Sequence, residues 1–434
     1  MRSFKPIIGL EIHVELATLS KMFCGCPADH FGKPPNTQTC PTCLGLPGAL
    51  PVPNKKAIEW TILVGLALKG NINKKSKFDR KHYFYPDLPK GYQISQYDEP
   101  LCFGGYLQTS SGMVKITRVH IEEDTGKLQH KIIGGKKVSL IDFNRSGVPL
   151  VEIVTEPDIH SAQEAKEFAQ KLQKIIRYLG VSDCDMEKGS MRLEANTSWG
   201  LNLGYKVEIK NINSFRFLGK AIEYDLKRQK KILETGKTPQ QETRGWNEAK
   251  SETVTQRYKE TADDYRYFPE PDIPPMIFSK SYISKIKSQI PMLPEDKMRL
   301  FIDKYGINTE YAGILVQDKS RADYFEKACV FAAKQSINPK DIANLMLNRG
   351  IDGKFSDPEK FISSLVSKNV KKYSGQSELL ETIKEVIKKE KKAVADYKKG
   401  NDKVLGFLIG ALQVRLKGRA DPKVARNELI RLLK

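Results

Sequence analysis

Acidic residues and a histidine alternate along the first strand-like segment of the chain. In Gly9–Glu15 (GLEIHVE), single apolar residues separate Glu11, His13 and Glu15. Side chains in a strand point alternately to its two faces, so these three polar residues share one face. Carboxylates and an imidazole arranged in this way are able to hold a divalent cation. An amphipathic strand with one solvated face gives the same pattern, and this segment taken alone favours that simpler interpretation.

Further carboxylates interrupt segments that otherwise read as apolar strands. They occur in His120–Asp124 (HIEED) and at Glu152, Glu194 and Glu208. A carboxylate in a buried strand needs a cation or a hydrogen-bond donor to offset its desolvation. Basic residues recur near these acids, at Arg118, Arg145, Arg192 and Lys210. Oxygen ligands beside Arg and Lys are what a magnesium–triphosphate site requires, although structural salt bridges would give the same pattern.

No phosphate-binding loop of a familiar type accompanies these acids. The chain contains neither G-x-x-x-x-G-K-[ST] nor G-x-G-x-x-G, which argues against a conventional P-loop or ATP-grasp ligase. Any nucleotide site must therefore be of another type, and the residues by themselves do not name a substrate.

Four of the seven cysteines lie close together in two short-spaced pairs. Cys24 and Cys26 form C-x-C, and Cys40 and Cys43 form C-x-x-C, on either side of a loop rich in Gly and Pro. Each pair can chelate one side of a tetrahedral ion, and thiolates suit zinc. We expect a structural zinc, because four thiolates leave no open coordination position; four ordinary free thiols are the alternative. The remaining cysteines, interpreted as packed residues, are Cys102, Cys184 and Cys329.

The charge of the chain favours a polyanionic partner. Its 434 residues carry a formal net charge of +20, and neutralising phosphates releases counterions and adds affinity whatever the sequence. Solvated lysines in a lysine-rich chain are the alternative. No secretory segment opens the sequence, and the most apolar run, Trp60–Leu68, is about half the ~20 residues that a membrane span needs. We therefore expect a cytoplasmic protein without a membrane partner.

These residues lie in a body that mixes short strands with a few helices. Strand-like alternation occurs at Ile7–Leu16, Val114–Ile121, Val138–Phe143, Leu150–Thr155 and Tyr205–Lys210. Helical spacing predicts helices at Ala162–Leu179 and Leu218–Glu234. The first has Ser161 as a candidate N-cap and Gly180 just beyond its end. This mixture favours an α+β body over a regular βαβ repeat.

The composition changes after the Pro-rich stretch Phe268–Pro275. From about Pro294 to the C-terminus the chain reads almost entirely as helices with Lys and Glu faces. Ser374–Gln376 predicts a joint, beyond which Leu379–Lys399 and Val404–Leu416 predict a small, basic helical domain.

Long segments spread over the first 290 residues match a known pattern in both content and order. They are Ile8–Leu16, Lys77–Asp87, Gly91–Gln96, His120–Gly126, Asp142–Gly147, Glu208–Phe215 and Asp263–Asp272. Together they resemble the B subunit of the tRNA-dependent glutamyl/aspartyl amidotransferases. The segments Ala395–Gly400 and Gly406–Gly410 are similar to the tail domain of the same family.

The resemblance implies an architecture and a two-step reaction. It implies a catalytic "cradle" with a mixed or antiparallel sheet over residues 1–290, a helical connector over 291–373 and an all-helical tRNA-binding tail over 374–434. ATP would phosphorylate the side-chain carboxylate of Glu-tRNA(Gln), Asp-tRNA(Asn) or both, and ammonia would then displace the phosphate. The ammonia would come from a glutaminase partner of the amidase family, and a small third partner would complete a heterotrimer.

The resemblance also implies roles for the acids. The expected magnesium ligands are Glu11, His13 and Glu123, with Glu152 and Glu208 as weaker candidates. Alternation alone leaves the choice between Glu122 and Glu123 open, and the family's motif favours Glu123.

Other residues are expected to meet ATP and tRNA. Arg192 and Lys210 would steady phosphates, because phosphoryl transfer depends mostly on positioning and charge neutralisation. The residues expected at the acceptor end of tRNA, where rings stack on unpaired bases, are Arg80, Lys81, Tyr83 and Tyr85. Core packing is the alternative role for the two tyrosines.

Two features limit how far the resemblance extends. The stretch Pro339–Lys372 lacks a turn and a helical pair typical of the connector, which leaves the placement of the tail open but not the chemistry. A catalytically silent, zinc-containing protein that binds tRNA or assists assembly is the competing interpretation. It predicts a decayed acidic face, whereas the acids named above are all present. The related archaeal protein specific for glutamyl-tRNA carries an insertion for which 434 residues leave no room.

Overall fold

The chain forms two compact units. The structure is a computed structural model that describes residues 5–200, 205–258, 265–335, 337–369, 376–418 and 420–433. One unit comprises Met1–Ile302 with Val316–Lys319, and the other comprises Asp303–Leu315 with Ser320–Lys434. The three domains predicted at 1–290, 291–373 and 374–434 stay a prediction.

Short strands dominate the first unit, and each of the five predicted strand segments corresponds to one of them. The strands are β1 (Lys5–Glu15), β2 (Asn71–Ile72), β3 (Lys75–Ser76), β4 (Asp79–His82), β5 (Tyr92–Ser95), β6 (Cys102–Phe103), β7 (Tyr106–Gln108), β8 (Met113–Glu123), β9 (Lys127–Ile133), β10 (Lys136–Asp142), β11 (Pro149–Thr155), β12 (Met191–Gly200), β13 (Val207–Ile212), β14 (Glu242–Asn247), β15 (Glu252–Tyr258), β16 (Phe268–Pro269) and β17 (Met276–Ile277).

One large mixed sheet organises this unit. Its order is β15-β14-β13-β12-β1-β11-β8-β6-β2, with β7 pairing with β8. Neighbours are antiparallel except β13 and β14, which are parallel. Smaller sheets are formed by β16-β4-β5, by β17-β3 and by the hairpin β9-β10. Together with the helices below, this confirms the predicted α+β class.

Helices of the first unit cover one face of the large sheet. They are α1 (Lys55–Ala67), α2 (Ala162–Leu179), α3 (Phe215–Glu234) and α4 (Lys280–Lys287). The apolar residues of β1, such as Leu10 and Ile12, join the core under α1, α2 and α3. Because side chains alternate along a strand, the polar residues of β1 must lie on the opposite face.

The helix ends show why the sequence breaks where it does. Helix α2 has the predicted bounds: Ser161 Oγ accepts from the Glu164 N–H at 3.1 Å, and Gly180 ends the helix at φ 71°. Helix α3 begins three residues before its predicted start, because Ser214 caps it by accepting from the Phe217 N–H at 3.1 Å.

The described chain beyond Leu293 is largely helical, as predicted. Its helices are α5 (Pro294–Tyr305), α6 (Thr309–Leu315), α7 (Lys319–Ala333), α8 (Pro339–Arg349), α9 (Pro358–Asn369), α10 (Gln376–Lys389), α11 (Lys391–Lys398), α12 (Val404–Arg415) and α13 (Pro422–Leu433). The helices α10 to α13 share a core of their own that includes Ile383, Leu408 and Leu429. The predicted joint falls partly on residues 374 and 375, outside the described residues. No helix in the described part of the chain is both long and apolar enough to cross a membrane.

Candidate active site

The open face of the large sheet carries the predicted polar residues in register. His13 of β1 lies opposite Glu152 of β11 on one side and opposite Arg192 of β12 on the other. Glu11 lies opposite Glu194 of β12. These residues line a cavity of about 910 Å³. The sheet therefore brings together side chains that are far apart in the sequence.

The first group of possible metal ligands consists of His13, Glu122 and Glu152. One ligand atom of each lies within 4.8 Å of the other two. His13 Nε2 is 3.4 Å from Glu152 Oε2, and His120 Nε2 is 3.3 Å from the same oxygen. Ser95 Oγ donates to Glu122 Oε2 at 2.9 Å. An imidazole and two buried carboxylates are a suitable donor set for one divalent cation.

His13 carries a positive charge when no cation is bound. Burial alone would lower the pKa of His13, but the charges of Glu152 and Glu194 raise it to about 9. Burial alone would raise the pKa of Glu152, but His120 and His13 hold it well below its usual range. A metal that uses the His13 imidazole must therefore displace a proton.

The second group consists of Glu11, Glu194 and Glu208, whose oxygens also lie within 4.8 Å of one another. Lys210 Nζ is 3.1 Å from Glu194 and 3.4 Å from Glu208, and Lys206 Nζ is 3.7 Å from Glu11. Burial would lower the pKa of Lys210, but the charges of Glu194 and Glu208 raise it. The Lys210 ammonium therefore stays charged beside the acids, where a phosphate could be shared between them.

The structure separates Glu123 from both groups. Glu123 forms an ion pair with Lys90, and its Oε1 accepts from the Ile94 N–H at 2.9 Å. Consecutive residues of β8 point to opposite faces, so only Glu122 reaches His13. The expectation that Glu123 is a ligand beside His13 is therefore corrected in favour of Glu122. The family's motif includes both residues and gives no direction for either side chain.

Arg192 lies at the edge of the first group. It contacts Asp124, and its Nη2 is 3.7 Å from Glu15 Oε1. Arg145 Nε is 3.7 Å from the same Asp124 carboxylate. The buried Nε of Arg192 has no hydrogen-bond partner among the described residues. This N–H is available to an anion in the cavity, as the prediction for Arg192 requires.

Two of the four residues predicted to meet tRNA line the cavity. Lys81 and Tyr83 do so, with Lys81 Nζ 5.8 Å from the ring centroid of Tyr83. The Tyr83 hydroxyl donates to Gln93 Oε1 at 3.1 Å. Tyr85 is exposed but lies outside the cavity lining. The tRNA prediction for these residues therefore keeps Lys81 and Tyr83 inside the site and Tyr85 outside it.

Arg80 has a different environment from the one expected. Its Nε and Nη2 donate to the buried carboxylate of Glu270 at 2.7 and 2.9 Å. The guanidinium also lies 4.3 Å from the ring centroid of Tyr92. These contacts tie the strands β4, β5 and β16 together. Arg80 is absent from the cavity lining, so its contacts are those of a structural residue.

The four predicted zinc ligands converge at one point. The Sγ atoms of Cys24, Cys26, Cys40 and Cys43 all lie within 4.8 Å of one another. Lys21, which is fully buried, directs its Nζ to Cys43 Sγ at 3.7 Å and to the Gln38 carbonyl at 2.7 Å. A buried ammonium suits an anionic thiolate cluster, because each charge offsets the desolvation of the other. The residues therefore fit a structural zinc. The cysteines interpreted as packed residues, Cys102, Cys184 and Cys329, are all buried.

Several residues of the cavity were not predicted from the sequence. Lys206, Arg257 and two tyrosines, Tyr97 and Tyr267, also line it. Lys206 and Arg257 precede or end strands whose pairing the sequence does not reveal. Tyr97 lies next to a resembling segment, and Tyr267 lies within one, but neither position carries a signal of its own.

Sequence comparisons assign both parts of the chain to one family. Residues 6–284 match the family described as "GatB/GatE catalytic domain", and residues 310–433 match the one described as "GatB domain". Relatives of similar length match along the whole chain. The B subunit of the aspartyl/glutamyl-tRNA(Asn/Gln) amidotransferase of Thermomicrobium roseum is 44% identical over 476 residues, which is 98% of this chain and 98% of that protein.

Two further relatives carry the same name. The protein from Caldicellulosiruptor saccharolyticus is 42% identical over 479 residues, covering 99% of this chain and 98% of its own. The protein from Thermosipho melanesiensis is 44% identical over 479 residues, covering 99% of each chain. These alignments are longer than the 434 residues of this chain, so the relatives contain residues that it lacks. The chain belongs to the family of B subunits of the aspartyl/glutamyl-tRNA(Asn/Gln) amidotransferases.

Proposed function

We propose that this chain catalyses the ATP-dependent phosphorylation of the side-chain carboxylate of Glu-tRNA(Gln), Asp-tRNA(Asn) or both, and then its amidation. A carboxylate oxygen attacks the γ-phosphorus, which yields an acyl phosphate and ADP. Ammonia attacks the acyl carbon, phosphate leaves, and a proton is lost to give the amide. The observation that carries the proposal is that two clusters of acids flanked by lysine and arginine line one cavity.

The first group is proposed to hold magnesium. His13, Glu122 and Glu152 would be its protein ligands, and Glu11 with Glu208 would contribute from the second group. When bound, Mg²⁺ neutralises charge that develops on the transferred phosphoryl group. Deprotonated His13 would be required, and the buried position of Glu122 and Glu152 would keep their lone pairs away from competing water.

The cations around the acids are proposed to orient the phosphates. Lys210 and Lys206 lie beside the second group, and Arg192 presents an N–H without a partner among the described residues. Charged donors held in place before the reaction stabilise charge without reorganising during it. Lys81 would meet the acceptor end of tRNA on the same wall.

The chain would act with other proteins. The relatives are named as one lettered part of an amidotransferase, so we propose a heterotrimer in which an amidase-family glutaminase supplies ammonia and a small third partner completes the complex. A structural zinc at the four cysteines would hold the loop that contains them. The net charge of +20 fits tRNA as the polyanionic partner.

The test is tRNA-dependent release of phosphate from γ-labelled ATP by the complex, with ammonium chloride as nitrogen source. Ammonium bypasses the glutaminase, so the assay isolates this chain's step. Release should require mischarged tRNA and should fall at least about a hundredfold in Glu11→Ala, because removing groups that act on the transition state costs several kcal/mol. Wild-type protein that binds tRNA but releases no phosphate would instead be a silent assembly protein.

A further inference from the structure

A pair of parallel tyrosine rings lines the cavity. The rings of Tyr97 and Tyr267 are stacked with centroids 4.3 Å apart and planes 9° apart. Tyr97 follows β5 and Tyr267 precedes β16, and these are the two outer strands of the β16-β4-β5 sheet. The stack therefore depends on the pairing of distant segments rather than on local sequence.

The pair differs from tyrosines that only fill a core. Tyr97 is 50% exposed. Its backbone is fixed, because its N–H donates to Asp79 Oδ2 at 2.9 Å and its carbonyl accepts from Arg118 Nη1 at 3.4 Å. A ring that is held in place but open to the cavity can stack on a flat ligand at little further cost in conformational entropy.

Rings and cations continue along the same wall. The ring of Tyr265 lies 6.2 Å from that of Tyr267, and Lys81 Nζ lies 5.1 Å from the Tyr265 centroid. Arg118 also lines the cavity, and its buried Nε has no hydrogen-bond partner among the described residues. Proteins bind unpaired nucleotides with this combination, in which rings stack on the base and cations meet the phosphates.

The platform lies close to the first group of metal ligands. Burial raises the pKa of Tyr267, Lys81 lowers it, and the nearby carboxylates of Glu122 and Glu152 raise it further. A nucleotide whose base rests on the platform would thus have its phosphates within the same cavity as the proposed magnesium site.

We propose that Tyr97 and Tyr267 form a stacking platform for the adenine base of a nucleotide that reacts in this cavity. The inference rests on the proposed function, which brings two such bases to the site: that of ATP and that of the 3′-terminal adenosine of tRNA. Both present the same flat purine to the rings, and the experiment separates them.

The test compares Tyr97→Leu with Tyr97→Phe in the complete complex. The leucine removes the aromatic face and the phenylalanine keeps it. Phe31→Leu is the matched control, because Phe31 is exposed but lies outside the cavity lining. The KM values for ATP and for mischarged tRNA are measured by phosphate release. The Kd values for Mg-ATP and for uncharged tRNA are measured by calorimetry, which needs no turnover.

The leucine variant should weaken one ligand by roughly tenfold or more, since a stacked base typically contributes about that much affinity. The phenylalanine variant and the control should stay near wild type. A rise in the ATP constants assigns the platform to ATP, and a rise in the tRNA constants assigns it to the terminal adenosine. Unchanged Kd values for both ligands would overturn the proposal.

Two further results separate the proposal from its premises. A loss of kcat without any change in Kd, which phenylalanine fails to restore, would show a structural role and also overturn it. If the wild-type complex releases no phosphate, the proposed function fails, while the two Kd values still decide whether the platform exists. Tyr267→Leu repeats the test if Tyr97→Leu does not reach the wild-type melting temperature.

Discussion

At the scale of single residues, the site depends on which of two neighbouring glutamates faces the cavity. Glu122 lies beside His13, whereas Glu123 lies on the other face of β8 with Lys90. Glu122→Gln should reduce phosphate release at least about a hundredfold with little change in melting temperature, because it removes a metal ligand. Phosphate-release kinetics and thermal unfolding of the same preparation check this prediction.

Glu123→Gln is the matched comparison. It breaks a buried ion pair and should lower the free energy of unfolding by about 3 kcal/mol. The fraction that remains folded should still release phosphate when ammonium is supplied. The assignment of Glu122 would fail if Glu123→Gln abolished release at an unchanged melting temperature while Glu122→Gln remained active.

The titration of His13 gives a second prediction. Its pKa is raised to about 9 by carboxylates that outweigh burial, so at pH 7 the metal-free imidazole is protonated. A ligand must be neutral, and metal binding therefore releases a proton, which makes affinity rise with pH below that pKa. The Kd of Mn²⁺, measured by electron paramagnetic resonance between pH 7 and 9, should fall by up to about tenfold per unit. In His13→Gln the Kd should be weaker and much less dependent on pH.

How much of the site follows from the sequence varies by residue. Alternation along β1 places Glu11 and His13 on one face, and the structure confirms that both line the cavity. The division into two groups was not predictable, because it depends on strand register across the sheet. The environment of Arg80 was not predictable either, since its partner Glu270 lies 190 residues further along the chain.

At the scale of elements, the two best-defined helices differ in how glycine serves them. Gly180 ends α2 at φ 71°, and a methyl group added there would meet no other atom within 4 Å. Gly180→Ala should lower the free energy of unfolding by about 1 kcal/mol through backbone strain alone. Urea denaturation measures the change.

Gly219 provides the opposite control. It lies within α3, again with space for a methyl group, and alanine is a better helix former than glycine. Gly219→Ala should therefore raise the free energy of unfolding by up to about 1 kcal/mol. Equal destabilisation by both substitutions would contradict the backbone argument.

The cysteine loop gives a prediction about metal removal. If zinc joins its two ends, a chelator should lower the melting temperature of the wild-type chain. Cys40→Ser should start from a lower melting temperature and lose its response to the chelator. Cys329→Ser, which lies outside the loop, should keep that response. A chelator without effect on the wild type would remove the zinc proposal.

Elements with their own local signals were predictable, and others were not. The bounds of α2 follow from its cap, its apolar spacing and its glycine. Strands of two or three residues, such as β2, β6 and β16, carry too few residues for a periodic pattern. They exist because a longer neighbour offers them a ladder of hydrogen bonds.

At the scale of the whole molecule, the net charge of +20 separates two interpretations. If the basic residues meet tRNA phosphates, binding releases counterions, and the Kd for tRNA should rise at least about tenfold between roughly 50 and 200 mM salt. Filter binding at several salt concentrations measures the slope. A flat response would mean that the lysines are solvated and that tRNA is held by other contacts.

The pairing of β1 with β11 and β12 has a consequence for the birth of the enzyme. Glu11 leaves the ribosome early, but the strands that complete its face end only at Ile212. A nascent chain shorter than this holds isolated carboxylates that cannot gather around one ion. Slipping any of these strands by one residue would also turn its functional side chains into the core. Metal capture during synthesis should therefore be a sudden event, set by the emergence of β13 rather than by that of the first ligand.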